Sequence, residues 1–285
     1  DYNDRILNIK TANEILAEAK APWKNFKFEG RIESRFLFRT ALSKSILPFA
    51  MYKPNLIAIP ATIKVDDFGL KQIKLHSAKA LREEGFLQAA RWFTETERCW
   101  EDNRTEKNTS NTATQYLNWQ NKVTEQNLNQ NYLVLYNSSA VNANATIVRR
   151  DEIDLDFVVD YTTYQMSTSV LDEAFYLTAV LNSAIPNEMM KDFQARGLFG
   201  ARHVSKKILD IFYPRFDPEN EIHVKLARLS EKAHVRASEF LALDPNRQNL
   251  TPRHLGRLRL EIKEHLTNEL RAIDALVNKL IGPAT

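Results

Sequence analysis

An α+β fold is what this sequence predicts: a mixed or antiparallel sheet packed with helices, followed by a helical C-terminal segment. Two β-textured regions, Phe26 to Ile63 and Asn131 to Thr168, carry alternating or short continuous apolar runs. Blocks with helical spacing stand on either side of them, closing with a long amphipathic stretch. The strands come in groups rather than alternating singly with helices, which disfavours a doubly wound parallel sheet.

The elements follow in order. Residues Tyr2 to Ala21 have helical spacing, with Ile6, Ile9, Ile15, Leu16 and Ala19 sharing a face, and Ala21-Pro22 ends the segment. "FKFEGRIESRFLFRT" alternates as a strand does, "LIAIPATIKV" is a second apolar run, and Pro48, Pro54 and Pro60 punctuate them. "HSAKALREEGFLQAARWFTETERCWEDN" predicts a helix with Leu81, Phe86, Leu87, Ala90 and Phe93 inward. Asn103 to Asn131 is rich in Asn, Gln and Thr, yet Tyr116, Leu117 and Trp119 argue for a packed loop or a short helix there. "NYLVLYNSSAVNANATIVRR" and "LDFVVDYTTYQMST" read as strands, and "VLDEAFYLTAVLNSAIPNEMMKDFQ" returns to helical periodicity with Leu171, Phe175, Leu177, Leu181 and Ile185 available to a core. Two further helices, Glu219 to Leu243 and Arg253 to Ile281, pair as a hairpin. The second bears a stripe of Leu255, Leu258, Ile262, Leu266, Leu270, Ile273 and Val277, which suits an internal core and also offers a surface for a helix-mediated oligomer.

Composition narrows the function classes. The chain has 285 residues, a formal charge of +3 and only 7 glycines, so glycine-rich phosphate loops have little to work with. No apolar run approaches the roughly 20 residues of a membrane span. One cysteine, Cys99, rules out an internal disulfide and suits a reducing, cytoplasmic setting. No Walker loop, dinucleotide fingerprint, H-E-x-x-H or nucleophile elbow is present. No two of the six histidines are four residues apart and Cys99 lacks a neighbouring ligand, so no metal or catalytic site is expected. The tripeptide Asp67-Phe68-Gly69 lacks the other kinase segments and carries no kinase meaning.

Charge distribution says more than net charge. Arg149 to Met190 holds 2 basic and 8 acidic residues, whereas Lys191 to Lys207 holds 5 basic and 1 acidic. In that basic stretch Gly197 and Gly200 let backbone amides approach a ligand, with Arg196, Arg202, His203, Ser205, Lys206 and Lys207 around them. A second set, Arg98, Arg104, Lys107 and Lys122, is interleaved with Trp100, Tyr116 and Trp119; a solvated face explains such a set equally well.

Several phrases together resemble the C-terminal specificity region of N-6 adenine-specific DNA methylases, the TaqI-like and bifunctional restriction–modification enzymes, with kinship to type I specificity subunits. "RIESRFLFRTALSKSILPF" resembles the family's opening strand and following element, here Ala41 to Ile46, without that element's glycine and aspartate. "YLTAVLNSAIPNEMM" is similar to a helix ending in leucine-asparagine-serine, here Leu181-Asn182-Ser183. "ARHVSKKILDIFYPRFD" is like the basic loop and strand that follow, and "ELRAIDALVNKLIG" resembles the closing helix with its Ile273-Asp274 and Val277.

The resemblance implies a target-recognition portion whose methyltransferase domain lies upstream. The family's S-adenosylmethionine loop and Asn/Asp-Pro-Pro-Tyr/Phe motif are absent, since no two prolines are adjacent. The expected division is residues 1–22 as a helical tail of the upstream domain, 23–218 as the recognition domain and 219–285 as a helical hairpin. Arg196, Arg202, His203, Ser205, Lys206 and Lys207 are expected on DNA phosphates. Arg39, Lys44, Arg104, Gln115 and Asn118 are expected at base edges, where guanidiniums and amides pair bidentately. Double-stranded DNA and the upstream domain are the expected partners, and S-adenosylmethionine is the cofactor of that domain, with none in this chain. The alternative is a non-catalytic scaffold whose basic loop meets an acidic protein.

Overall fold

The computed structural model describes residues 5–138, 142–160, 162–191, 196–197, 200–201, 208, 213–247 and 250–281. The chain opens with strand β1 (Ile6–Lys10), helix α1 (Asn13–Glu18) and strands β2 (Glu29–Glu33) and β3 (Leu37–Thr40). Short strands β4 (Ile46–Leu47), β5 (Ala50–Met51) and β6 (Asn55–Ala58) lead to a hairpin of β7 (Ala61–Val65) and β8 (Lys71–Leu75). Helices α2 (Ala78–Glu83), α3 (Leu87–Asn103) and α4 (Ala113–Leu117) precede β9 (Tyr132–Asn137), β10 (Ala145–Arg149) and β11 (Thr163–Thr168). Then come α5 (Leu171–Asn182), α6 (Ala184–Met189), the two-residue strands β12 (Arg196–Gly197) and β13 (Gly200–Ala201), and α7 (Glu221–Ala242), α8 (Pro252–His265) and α9 (Thr267–Ile281). The fold is α+β, built from small antiparallel sheets with packed helices and a helical C-terminal segment. No helix among the described residues is long and apolar enough to cross a membrane.

Two compact units share the chain. The first takes Asp1–Thr40, Leu56–Asn129 and Leu155–Tyr161; the second takes Ala41–Asn55, Gln130–Asp154 and Thr162–Thr285.

In the first unit, Ile6–Lys10 is a strand, not the first half of the helix that its isoleucine spacing predicts. It pairs antiparallel with β2, from Ile6 opposite Glu33 to Lys10 opposite Glu29, and helix is confined to the six residues of α1. Cross-strand hydrogen bonds outweigh a spacing that short helices and strands share. Glu33 then serves α3: its carboxylate accepts from the backbone N–H groups of Gln88 (3.0 Å) and Ala89 (2.7 Å), satisfying donors that Phe86, the residue at the cap, cannot. One core gathers Ile32, Phe36, Leu37, Leu81, Ala89, Ala90 and Phe93; a second gathers Phe38, Ile59, Ala61, Ile73, Val123, Leu128 and Val158. Leu87, expected inward, is exposed because it opens α3 ahead of the buried stripe. The β7–β8 turn explains Asp67-Phe68-Gly69: Asp66 Oδ1 accepts from Phe68 N and Leu70 N, and Gly69 has φ +79°.

The second unit is organised around the antiparallel sheet β10-β9-β11. Helix α5 lies on it with every residue from Ala174 to Asn182 buried, as a helix that is apolar on all sides must be. At its C-terminus, Asn182 Oδ1 accepts from Ala145 N (3.0 Å) while Nδ2 donates to Ala145 O (2.9 Å), so one amide side chain meets both polar groups of a β10 residue. Asn187 repeats the device one turn later, accepting from Ala143 N (2.7 Å) and donating to Leu181 O and Ser183 O. Ser183 Oγ donates to Asp274 Oδ1 (2.7 Å), which also accepts from Ala184 N (2.9 Å), tying α6 to α9.

The long helix expected over Arg253 to Ile281 is two helices, broken at the fully buried Leu266. Its stripe survives the break: Leu255, Leu258, Ile262, Leu266, Ile273 and Val277 are all in the core, with Leu270 packed against it. The buried Glu269 joins α9 to α7 through Lys232 (3.0 Å) and Arg236.

Two stability predictions follow from these joints. Asn182→Ala leaves the buried Ala145 N–H without its acceptor, while Ala145 O keeps Phe49 N, and should cost about 1–3 kcal/mol in chemical denaturation. For Glu269, burial pushes the pKa up, but the hydrogen bonds from Arg236 and Lys232 outweigh it and hold the carboxyl at about 2, against 4.5 ordinarily. Its contribution is therefore complete above pH 4.5 and lost as pH falls toward 2. Melting temperature against pH should decline over that window in the native protein and decline less in Glu269→Gln.

Candidate nucleic-acid interface

Helix α8 carries two cations that the fold partly takes out of water. Arg259 and Lys263 are four residues apart, so they share one edge of the helix beside the buried Leu258 and Ile262. Arg259 reaches the 3₁₀ turn Ser43–Ser45 and β4: its Nε donates to Ile46 O (3.1 Å) and its Nη2 to Lys44 O (2.8 Å) and Ser43 O (3.4 Å). Carbonyl dipoles satisfy its N–H groups without neutralising the charge. Burial lowers its pKa.

Lys263 has no carboxylate within ion-pair distance among the described residues, and it is half-buried. Desolvation pulls its pKa down, the neighbouring Arg259 pulls further, and Asp274 draws it partly back. That carboxylate is already engaged by Ser183 and Ala184. Lys44, on the turn that Arg259 grips, is also half-buried and lowered by desolvation. Arg259 and Lys263 thus lie side by side, with Asp274 the carboxylate that draws on Lys263, a balance that an anion would complete.

Of the residues expected on phosphates, Arg202, His203, Ser205, Lys206 and Lys207 lie outside the described residues. Arg196 opens β12, whose backbone pairs antiparallel with β13 through Arg196 opposite Ala201 and Gly197 opposite Gly200. Ile208, at the foot of that stretch, is buried in the core of the second unit.

The residues expected at base edges divide between the units. Lys44 belongs to the second unit, on the turn whose carbonyls Arg259 grips. Arg39, in β3 of the first unit, is half-buried, and its backbone brackets Phe157, with Arg39 N bonded to Asp156 O and Val158 N to Arg39 O. Arg104, Gln115 and Asn118, also in the first unit, spend their polar groups locally. Arg104 Nη1 donates to Asn111 O (2.8 Å), a carbonyl shared with Trp100 Nε1 (2.9 Å). Gln115 Oε1 accepts from Thr112 N in a capping box at the start of α4. Asn118 Oδ1 accepts from Val123 N and Thr124 N, folding the turn after α4.

Of the aromatic residues in the second basic set, Trp100 and Tyr116 act as packing. Trp100 lies between Trp23, stacked at 5.8 Å and 18°, and Tyr116 at 4.5 Å. Arg98 pairs with Glu95 at 2.8 Å, while Lys107, Lys122 and Trp119 are exposed.

Sequence reasoning passed over Arg259 and Lys263. Their signal was readable: neither has an acidic residue three or four positions away on its helix, and both border the apolar stripe. A second polar cluster joins Tyr52, Asp244 and His254. The Tyr52 hydroxyl donates to Asp244 Oδ2, which His254 Nε2 meets at 2.9 Å, and Asp244 Oδ1 accepts from Asn246 N. Burial raises the Tyr52 pKa, and the adjoining Asp244 carboxylate raises it further. A phenol held protonated against a carboxylate is a staple between β5 and the α7–α8 connection.

No protein-family model matches the chain, and no curated protein matches it significantly.

If Lys263 is a desolvated charge without a partner, removing it should help the fold. Lys263→Met should raise stability by about 1 kcal/mol in denaturant titration, whereas removing an ordinary surface lysine changes little.

Proposed function

We propose that this chain is the DNA-recognition portion of an adenine-specific DNA methyltransferase, positioning duplex DNA while a separate domain flips adenine and transfers the methyl group from S-adenosylmethionine. The observation that carries the reading is the Arg259–Lys263 edge of α8, two partly desolvated cations whose neighbouring carboxylate, Asp274, is already engaged by Ser183 and Ala184. A phosphodiester is the anion such a site suits, because backbone contacts fix register on a duplex without reading its sequence. The motif resemblance supports the same reading. Two of its phrases, Leu181-Asn182-Ser183 and Ile273-Asp274, are bonded to one another in space through Ser183 and Asp274.

Phosphate contacts are assigned to Lys263 and Arg259, and to Arg202, Lys206 and Lys207 of the basic stretch. Arg196, His203 and Ser205 are assigned there too. Arg39 and Lys44 stay candidates for base edges by residue type, while Arg104, Gln115 and Asn118 have polar groups engaged in their own turns. The parent is a cytoplasmic modification or restriction–modification enzyme in this reading.

The test is binding to a mixed-sequence 30-base-pair duplex, followed by anisotropy across a salt series. Native protein should bind with log K falling linearly in log salt, at about −0.9 per phosphate neutralised. Lys263→Gln should weaken all sequences alike and reduce the slope by about 1. No binding at low salt, or an unaltered slope in Lys263→Gln, would refute the assignment, and retention by an acidic protein in place of DNA would favour the scaffold alternative.

A further inference from the structure

The start of α8 borders a cavity of about 310 Å³ lined by Asn246, Thr251, Arg253, His254 and Arg257. All five side chains are polar, and the volume sits at the small end of the range for bound molecules, about 300–1,000 Å³. Arg253 is exposed and has no carboxylate within ion-pair distance among the described residues. Arg257 shares its charge with Glu261, which lies 3.1 Å from its Nε. Thr251 is spent as the cap of α8, its hydroxyl accepting from His254 N (3.2 Å). Asn246 gives its backbone N–H to Asp244 (3.0 Å), which leaves its side-chain amide to the cavity.

His254 is the fixed element of this wall. Its side chain is only 9% exposed, and its Nε2 is held 2.9 Å from Oδ2 of the buried Asp244. Burial raises the Asp244 pKa, but hydrogen bonds from Tyr52 and His254 outweigh it and hold the carboxyl below its ordinary value. An ionised carboxylate only accepts, so Nε2 carries the proton, and Nδ1 of the neutral ring presents a lone pair. The unpaired nitrogens of His223 and His234 are sealed from solvent; Nδ1 of His254 is unpaired and open. Two guanidiniums in one cavity select an anion, and a rigid acceptor beside them selects an anion that still carries a proton.

We propose that this cavity binds inorganic phosphate as the hydrogen phosphate ion, with its oxygens on Arg253 and Arg257 and its P–OH donated to His254 Nδ1. Sulfate has the same tetrahedral shape but no proton at neutral pH, so it sets an oxygen lone pair against that of Nδ1. A phosphodiester of a duplex backbone lacks the proton as well, which separates this site in chemistry from the Arg259–Lys263 edge.

Calorimetric titration of the intact chain with phosphate, sulfate and methyl phosphate at one ionic strength provides the test. It is run at about pH 7.5, above the second pKa of a phosphate monoester, about 6, so that methyl phosphate has lost its proton. Phosphate should bind about tenfold more tightly than either competitor, the ratio one hydrogen bond supports. Arg253→Gln should weaken phosphate and sulfate alike, and in His254→Phe phosphate should lose its advantage. Equal affinity for phosphate and sulfate, equal affinity for phosphate and methyl phosphate, no phosphate binding, or a preference that survives His254→Phe overturns the proposal. Should His254→Phe fail to fold, the native affinity ratios and Arg253→Gln decide, and unchanged phosphate affinity in Arg253→Gln overturns it. No titration contains DNA, so failure here leaves the DNA reading standing, and failure of duplex binding leaves this site standing.

Discussion

A side-chain amide that imitates a strand holds the second unit together. Asn182 offers Ala145 one acceptor and one donor, the same pair that a neighbouring β-strand would offer, but from the end of a helix. Because β10 also passes Ala145 O to Phe49 N, the loop before β5, the sheet and α5 meet at one residue. Ser183, next in sequence, carries the joint onward to Asp274 of α9. The first unit uses the same device: Gln126 Oε1 accepts from Val159 N and its Nε2 donates to Val159 O. Buried amides of this kind give geometry as well as energy, since both groups are satisfied in only one orientation.

The cationic cluster depends on that geometry. Arg259 is immobilised by three carbonyls, and Lys263 rides one turn behind it on a helix whose other face is locked into the core. Long cationic side chains on an open surface keep their hydration and their rotamer freedom, and counting them says little. Here the frame has already removed part of the hydration and fixed the spacing. Electrostatics that cost the isolated fold something are the kind that an external anion can use.

Periodicity carried some of this architecture well and other parts poorly, for identifiable reasons. The stripe from Leu255 to Val277 and the core face of α5 were readable because long helices repeat their pattern over several turns. Ile6–Lys10 misled because five residues hold too few repeats to separate helix from strand, and its partner lies over twenty residues away. The break at Leu266 was invisible because the apolar stripe runs straight through it. Among site residues, Lys44 stood out in the sequence, but Arg259 and Lys263 looked like the ordinary polar edge of an amphipathic helix. Arg104, Gln115 and Asn118 have the chemistry of base readers, yet their neighbours offer backbone partners within a few residues, and local partners cost the least entropy to engage. Nothing in sequence ranks those competing bonds.

The path of the chain has its own consequence. It passes from one unit to the other at residues 40/41, 55/56, 129/130, 154/155 and 161/162. Neither half can be lifted out by cutting once, and neither can be exchanged between homologous genes by a single recombination event without leaving its complement incomplete. Exchange of one unit alone would need a separate junction at each of these crossings.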